Sequence, residues 1–172
     1  MALPRSVQQK IKSFFFEQTI LEGAVLCSSV PNVFTAGLDL EEFYQPNASD
    51  LHDYWVLVQQ TTAKLYGMKK PLAVEMENTA ILAGCMLALV GDHRIMRDSS
   101  DAVIGLNETL YNFACPPWLC QLLIDTIGRK HAEKALIEGQ VFSPKDAMVL
   151  KMFINVRIIS SVKLEKFGRN KH

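Results

Sequence analysis

Excess charge of either sign is missing: 18 Lys and Arg balance 18 Asp and Glu for a formal net charge of zero. That removes the electrostatic footprint of a protein built to bind nucleic acid or an anionic membrane surface. A long apolar run is missing too. The longest, Ala80 to Val90, falls well short of the ~20 residues of a membrane span. The four cysteines, Cys27, Cys85, Cys115 and Cys120, show no paired CxxC spacing. They read as buried thiols of a reducing compartment, and His52, His93, His131 and His172 do not complete a ligand cluster, so no metal site is expected. Linkers, repeats and low-complexity segments are lacking as well.

What is present suits one packed domain. The chain has 172 residues, 49% hydrophobic and 21% charged, which excludes a disordered chain. Gly23 to Ser28 and Pro71 to Met76 read as buried strands, with His93 to Arg97, Ala102 to Gly105 and Ile154 to Ile159 as further ones. Leu51, Tyr54, Trp55, Val58, Thr62 and Leu65 recur at helical spacing, with Ser49 or Asp50 available as the cap and the stripe read as core. Pro117 to Ile127 and Arg129 to Glu138 read as helices broken at Gly128. Ser143-Pro144-Lys145-Asp146 supplies an N-cap, a first-turn proline and an acid for another short helix. His93, after Asp92 at the entry to a strand, reads as a structural contact, and Lys69 and Lys70 as a solvated helix end. The fold class is α/β.

Three segments carry chemistry: Val33 to Leu40 (VFTAGLDL), Ile81 to Cys85 (ILAGC) and Ile104 to Thr109 (IGLNET). In the first two, an apolar run meets a small-residue turn and then a helical stretch. Ala36-Gly37 leads into Leu38 to Glu42, and Ala83-Gly84 into Cys85 to Val90. N–H groups at the start of a helix lack intrahelical partners and sit at the positive end of the dipole. Two of them converging on one point would make an oxyanion hole, where a thioester carbonyl can take negative charge as its neighbouring carbon loses a proton. Glu108 is the candidate base. Leu106, Phe113, Trp118 and Leu119 suit either an apolar acyl pocket or ordinary core. A pocket there would raise the Glu108 pKa by desolvation.

On these motifs the sequence resembles the crotonase (enoyl-CoA hydratase/isomerase) superfamily, and within it the mitochondrial enoyl-CoA delta isomerase branch. VFTAGLDL resembles the family's Ala-Gly, hydrophobic, Asp signature. Pro71 to Asp98 resembles the strand, turn, helix and strand of the second donor. IGLNET, with Pro116-Pro117-Trp118-Leu119, Thr126-Ile127-Gly128 and Ala132 to Leu136, is similar to the isomerase branch, as are Tyr54-Trp55 and Leu65-Tyr66. The resemblance covers most of the chain, to about Ile158.

The resemblance implies a ClpP/crotonase spiral of ββα units, with residues 1–160 as its core and 161–172 as a polar basic tail. The spiral is expected to be incomplete at both termini, without the family's opening strands and closing helices. It implies that the N–H groups of Leu38 and Ala83 form the oxyanion hole and that Glu108 is the acid/base. Ala36, Gly37, Leu38, Asp39, Leu40, Ala83, Gly84 and Asn107 would surround the substrate. The implied reaction moves the double bond of a 3-enoyl-CoA to the 2-trans position in β-oxidation of unsaturated fatty acids. The alternatives are a non-catalytic acyl-CoA binder or inactive paralogue, and a hydratase or thioester hydrolase.

Hydration is disfavoured by Met86, which stands where the family's hydratases carry a second glutamate. One carboxylate suffices to take a proton from C2 and return it to C4, and no cofactor is implied, CoA being part of the substrate. The implied partners are an acyl-CoA thioester and, in a homotrimer, further copies of the chain. The implied location is the mitochondrial matrix. Met1 to Phe16, basic before Glu17, superficially suits a presequence but aligns with the family's first helix. Two departures from the family pattern bear on the site. Ala83 puts a methyl group where substrate approaches, and Thr79 puts a β-branched residue where a positive φ is expected.

Overall fold

The computed structural model describes residues 23–30, 32–153 and 155–157. The expected first helix, the presequence reading of Met1 to Phe16 and the 161–172 tail lie outside the described residues. Among the described residues seven strands form two sheets, every strand pairing within them parallel. One sheet has the order β1 (Ala24–Cys27), β3 (Leu72–Met76), β5 (His93–Arg97), β7 (Asn155–Arg157). The other has the order β2 (Val33–Thr35), β4 (Thr79–Ile81), β6 (Ile104–Gly105). Parallel neighbours need crossovers, and helices supply several: α1 (Ala48–Tyr66) leads into β3, α2 (Ala83–Leu89) into β5, and α3 (Pro117–Ile127), α4 (Arg129–Glu138) and α5 (Pro144–Val149) into β7.

The core explains the choice of elements. In β3 the buried positions alternate at Leu72, Val74 and Met76, the period-2 pattern of a strand. Every residue of α2 is buried, so this helix is apolar all round and its burial holds it in place. Asp92, after α2, accepts from the Leu72 N–H at 2.8 Å; His93 is exposed, so the structural contact expected of that corner is made by Asp92. Arg94 donates to the carbonyls of Met152 and Gly91 at 2.6 and 2.7 Å, tying β5 to the segment after α5.

Several local readings hold. The helices at Pro117–Ile127 and Arg129–Glu138 meet at Gly128, with φ +81, and Ser143 Oγ accepts from the Asp146 N–H at 3.2 Å as an N-cap. Others are corrected. The cap of α1 is Asn47, whose side chain accepts from the Asp50 N–H at 2.8 Å, with Ser49 and Asp50 already in the first turn. β1 is not a buried strand: Val25 and Cys27, alternate residues on one face of it, are exposed. Of the four thiols only Cys85 is fully buried; Cys27 is exposed, and Cys115 and Cys120 are half-buried.

Candidate active site

Strand order assembles the site. In the three-stranded sheet β4 lies between β2 and β6, all running the same way. The three segments at their C-terminal ends, VFTAGLDL, ILAGC and IGLNET, therefore lie side by side. The carboxyl ends of parallel strands are the usual place for ligands in such sheets. There a cavity of about 110 Å³ is lined by Leu38 and Leu40 from the first segment, Leu82 and Ala83 from the second and Glu108 from the third. Phe43, Trp55, Val58, Phe113, Ala114, Pro116 and Leu119 complete its wall.

The first two segments turn differently from their sequence-based expectation. After Gly37, with φ +99, the chain stays extended through Asp39, and only a single 3-10 turn follows, Leu40–Phe43, capped by the Asp39 carboxylate on the Glu41 N–H at 3.2 Å. The Asp39 N–H donates to the buried Tyr54 hydroxyl at 3.1 Å, which anchors this loop to α1. In the second segment α2 begins at Ala83, so Ala83 and Gly84 are its first two residues and the turn falls on Leu82, at φ 54 and ψ −136. Thr79, expected to need a positive φ, is instead an ordinary strand residue of β4, in register with Val33. The strain belongs to Leu82, and a left-handed φ on a branched non-glycine residue costs ~1–2 kcal/mol.

Two glycines let the turns touch. A Cβ on Gly37 would lie 2.8 Å from Leu82 Cβ and 3.2 Å from the Ala83 nitrogen; one on Gly84 would lie 2.5 Å from the Thr35 carbonyl oxygen. The turns are thus in backbone contact. Among the described residues, no acceptor takes the N–H of Ala83, and the N–H of Gly84 is equally unpartnered. Both are first-turn donors that a helix cannot satisfy internally.

Glu108 opens a 3-10 turn, Glu108–Tyr111, just beyond β6. Phe113 N–H donates to the Glu108 carbonyl at 3.1 Å, and Thr109 Oγ1 donates to the Leu136 carbonyl at 2.6 Å, fixing the turn against α4. The Glu108 residue is only 9% exposed, and its Oε2 has no hydrogen-bond partner among the described residues. Burial raises its pKa above the ordinary carboxyl value, a rise partly offset by its own backbone N–H. The thiols of Cys85 and Cys115 are raised as well, by burial first and then by the charge of Glu108, which makes them poor nucleophiles.

Met86 is buried, with its sulfur 3.0 Å from Thr62 Oγ1, and the next residue is the buried Leu87. Among the described residues, no second carboxylate lines the cavity. Of the other expected pocket residues, Phe113 and Leu119 do line it, Leu106 is core, and Trp118 lines a separate groove. Ala36, Gly37, Asp39 and Gly84 shape the turns behind the cavity wall. Asn107 is buried beside Glu108 with its Oδ1 unpartnered among the described residues. Leu82, Phe43, Trp55, Val58, Ala114 and Pro116 were not expected at the site. Trp55 and Val58 carried the signal of their helical stripe but read as core, whereas Leu82 carries none, being an apolar residue in an apolar run.

This site and fold place the chain in a class. It belongs to the enoyl-CoA hydratase/isomerase family, whose sequence profile matches residues 12–167. It is similar to enoyl-CoA delta isomerase 1, mitochondrial, of mouse, at 38% identity over 128 residues, 74% of this chain and 44% of the relative. The human protein of the same name is 38% identical over 126 residues, 73% of this chain and 42% of that one. The crystal structure of human mitochondrial delta3-delta2-enoyl-CoA isomerase superposes with a TM-score of 0.87 at 31% identity, covering 91% of this chain and 62% of that one. An enoyl-CoA hydratase of Mycobacterium smegmatis, at 22% identity and a TM-score of 0.80, shares the fold. The chain spans less than half the length of the curated isomerases it matches. The crotonase fold expected from the motifs is the fold found.

Proposed function

We propose that the chain acts as a 3-enoyl-CoA isomerase, with Glu108 as its single acid/base. One observation carries the reading: a buried carboxylate with an unpartnered oxygen lines the same cavity as Leu38 and Ala83. A thioester carbonyl there accepts from the N–H of Leu38 and from the start of α2, at Ala83. Ionised Glu108 takes a proton from C2, and the electron pair delocalises over C4, C3, C2 and C1 onto the carbonyl oxygen. Glu108, now protonated, returns the proton to C4, which leaves the double bond between C2 and C3. One oxyanion donor is worth ~3 to 4 kcal/mol and a placed base ~10²–10⁴-fold. The proton is conserved within the cycle, so no cofactor takes part.

That Glu108 is the one carboxylate lining the cavity among the described residues supports isomerisation over hydration, which needs a second group to position water. The relatives named mitochondrial support a place in the mitochondrial matrix, and the family resemblance supports a homotrimer. The test is turnover of 3-hexenoyl-CoA to the 2-trans isomer by purified, folded protein beside Glu108→Gln. Activity in the wild type and its loss in the variant is the expected result. A folded, inactive wild type that still binds hexanoyl-CoA would overturn the isomerase reading in favour of a non-catalytic acyl-CoA binder.

A further inference from the structure

We infer that Cys115 and Cys120 are a paired oxidation site: a peroxide joins them in a disulfide at the wall of the Glu108 cavity, and a thiol reductant parts them again. The pairing follows from helix geometry. The N-cap of α3 is Pro116 and its first residue is Pro117, so Cys115 precedes the cap and Cys120 is the fourth residue of the helix. Apolar residues at those two positions pack together across the start of a helix as a hydrophobic staple. Here both staple residues are cysteines. The Cys120 thiol donates to the Cys115 carbonyl at 3.5 Å, and its side chain is a hydrogen-bond partner of the Cys115 thiol. Proline fixes φ at Pro116 and Pro117, and the Cys120 N–H donates to the Pro116 carbonyl at 3.0 Å. The segment between the thiols therefore holds them together. Both are free and half-buried, within reach of a small oxidant.

The chemistry divides the pair. Burial, and then the charge of Glu108, push the Cys115 thiol pKa up, so the first attack falls to Cys120, near the positive end of the α3 dipole. Its thiolate attacks hydrogen peroxide, the O–O bond breaks, and hydroxide leaves as water with the proton that the thiol gave up, forming a sulfenic acid. The Cys115 sulfur then attacks the Cys120 sulfur, the S–O bond breaks, and the departing hydroxide takes the Cys115 proton to make a second water. Contact between the two offsets the weak nucleophilicity of Cys115. The thiols lose two electrons, and one peroxide is reduced to two waters. The effect on the site is geometric. Ala114, Pro116 and Leu119, the sequence neighbours of the two cysteines, line the cavity. Bonded sulfurs lie much closer than sulfurs in contact, so oxidation draws Ala114 and Pro116 toward Leu119 in a space of only about 110 Å³. The oxidised site holds a thioester less well, a consequence that rests on the isomerase reading of the cavity.

The test uses the full chain, reduced with dithiothreitol, freed of it and titrated with hydrogen peroxide. The tryptic peptide 98–129 carries Cys115 and Cys120 and no other cysteine. The expected result is that this peptide loses two hydrogens in mass, that both its thiols escape iodoacetamide, and that dithiothreitol reverses both changes. Hexanoyl-CoA affinity, read by calorimetry, falls on the order of tenfold on oxidation and recovers on reduction. Cys120→Ser binds hexanoyl-CoA like the reduced wild type and shows neither the mass change nor the loss of affinity. Cys115→Ala repeats the result if that variant fails to fold. Peroxide that carries Cys120 to sulfinic or sulfonic acid, a disulfide from Cys115 to Cys85, or one between two chains through Cys27 would overturn the pairing. A Cys115–Cys120 disulfide that leaves hexanoyl-CoA affinity unchanged would overturn its effect on the site. If reduced protein neither binds hexanoyl-CoA nor turns over 3-hexenoyl-CoA, the isomerase reading fails, and the peptide mass still decides whether the two thiols are a pair.

Discussion

At the scale of the residue, Glu108 carries the most testable physics. Its pKa is raised by burial, so the folded state holds its proton more tightly than the unfolded chain does. Stability linked to this group is therefore full below the ordinary glutamate value, ~4.3, and falls as pH rises through the raised folded value. Glu108→Gln removes that dependence. Chemical denaturation between pH 4 and pH 8 should show the wild type losing stability relative to the variant as pH increases. In the proposed reaction activity runs the other way, because only the carboxylate would take the C2 proton: kcat should rise with pH, with its midpoint above that of an exposed glutamate. The variant is expected to lose ~10²–10⁴-fold in kcat while its KM changes little, since the amide fills the same space.

At the scale of the element, the two turns act as one part. Gly37→Ala sets a Cβ 2.8 Å from Leu82 Cβ at a φ of +99, where both contact and conformation oppose it. Thermal unfolding should report a loss of stability of ~2 kcal/mol or more. Activity should fall further than stability, because Leu38 and Ala83 are moved apart. Ser143→Ala, at a residue outside the cavity lining, serves as a control: loss of the α5 cap costs ~1 kcal/mol and leaves kcat unchanged.

Elements of this kind were also the most legible in the sequence. The bounds of α3 and α4 follow from proline and glycine punctuation, and β3 from the apolar run Pro71 to Met76. Both donor turns and Glu108 could be located by motif. What escaped was backbone conformation. That the helix starts at Ala83, and that Leu82 instead of Thr79 takes the positive φ, follows from the approach of β2 to β4, a contact between distant segments that no local pattern encodes. Trp55 and Val58 read as core for a related reason: a wall of a small apolar cavity has the same periodicity as a packed interface.

At the scale of the whole molecule, accessibility separates the four thiols. Cys27 stands exposed on β1, Cys115 and Cys120 are half-buried, and Cys85 is enclosed with its pKa raised well above the ordinary value. Alkylation of the native protein followed by mass spectrometry should label Cys27 first and Cys85 only at the rate of unfolding. The parallel sheets have a further effect on how the molecule comes to exist. Ala24 pairs with Leu72, Val33 with Thr79 and Ile95 with Asn155, so these neighbours in the sheets are separated by long stretches of chain. Such non-local pairing slows folding, since loop closure must precede the reward of contact. On the ribosome, the cavity at Glu108 cannot close until α3, which supplies Leu119 to its wall, has been synthesised. The candidate site thus forms only after β1 to β6 and the first two helices have been made, and activity there would report its assembly better than helix content does.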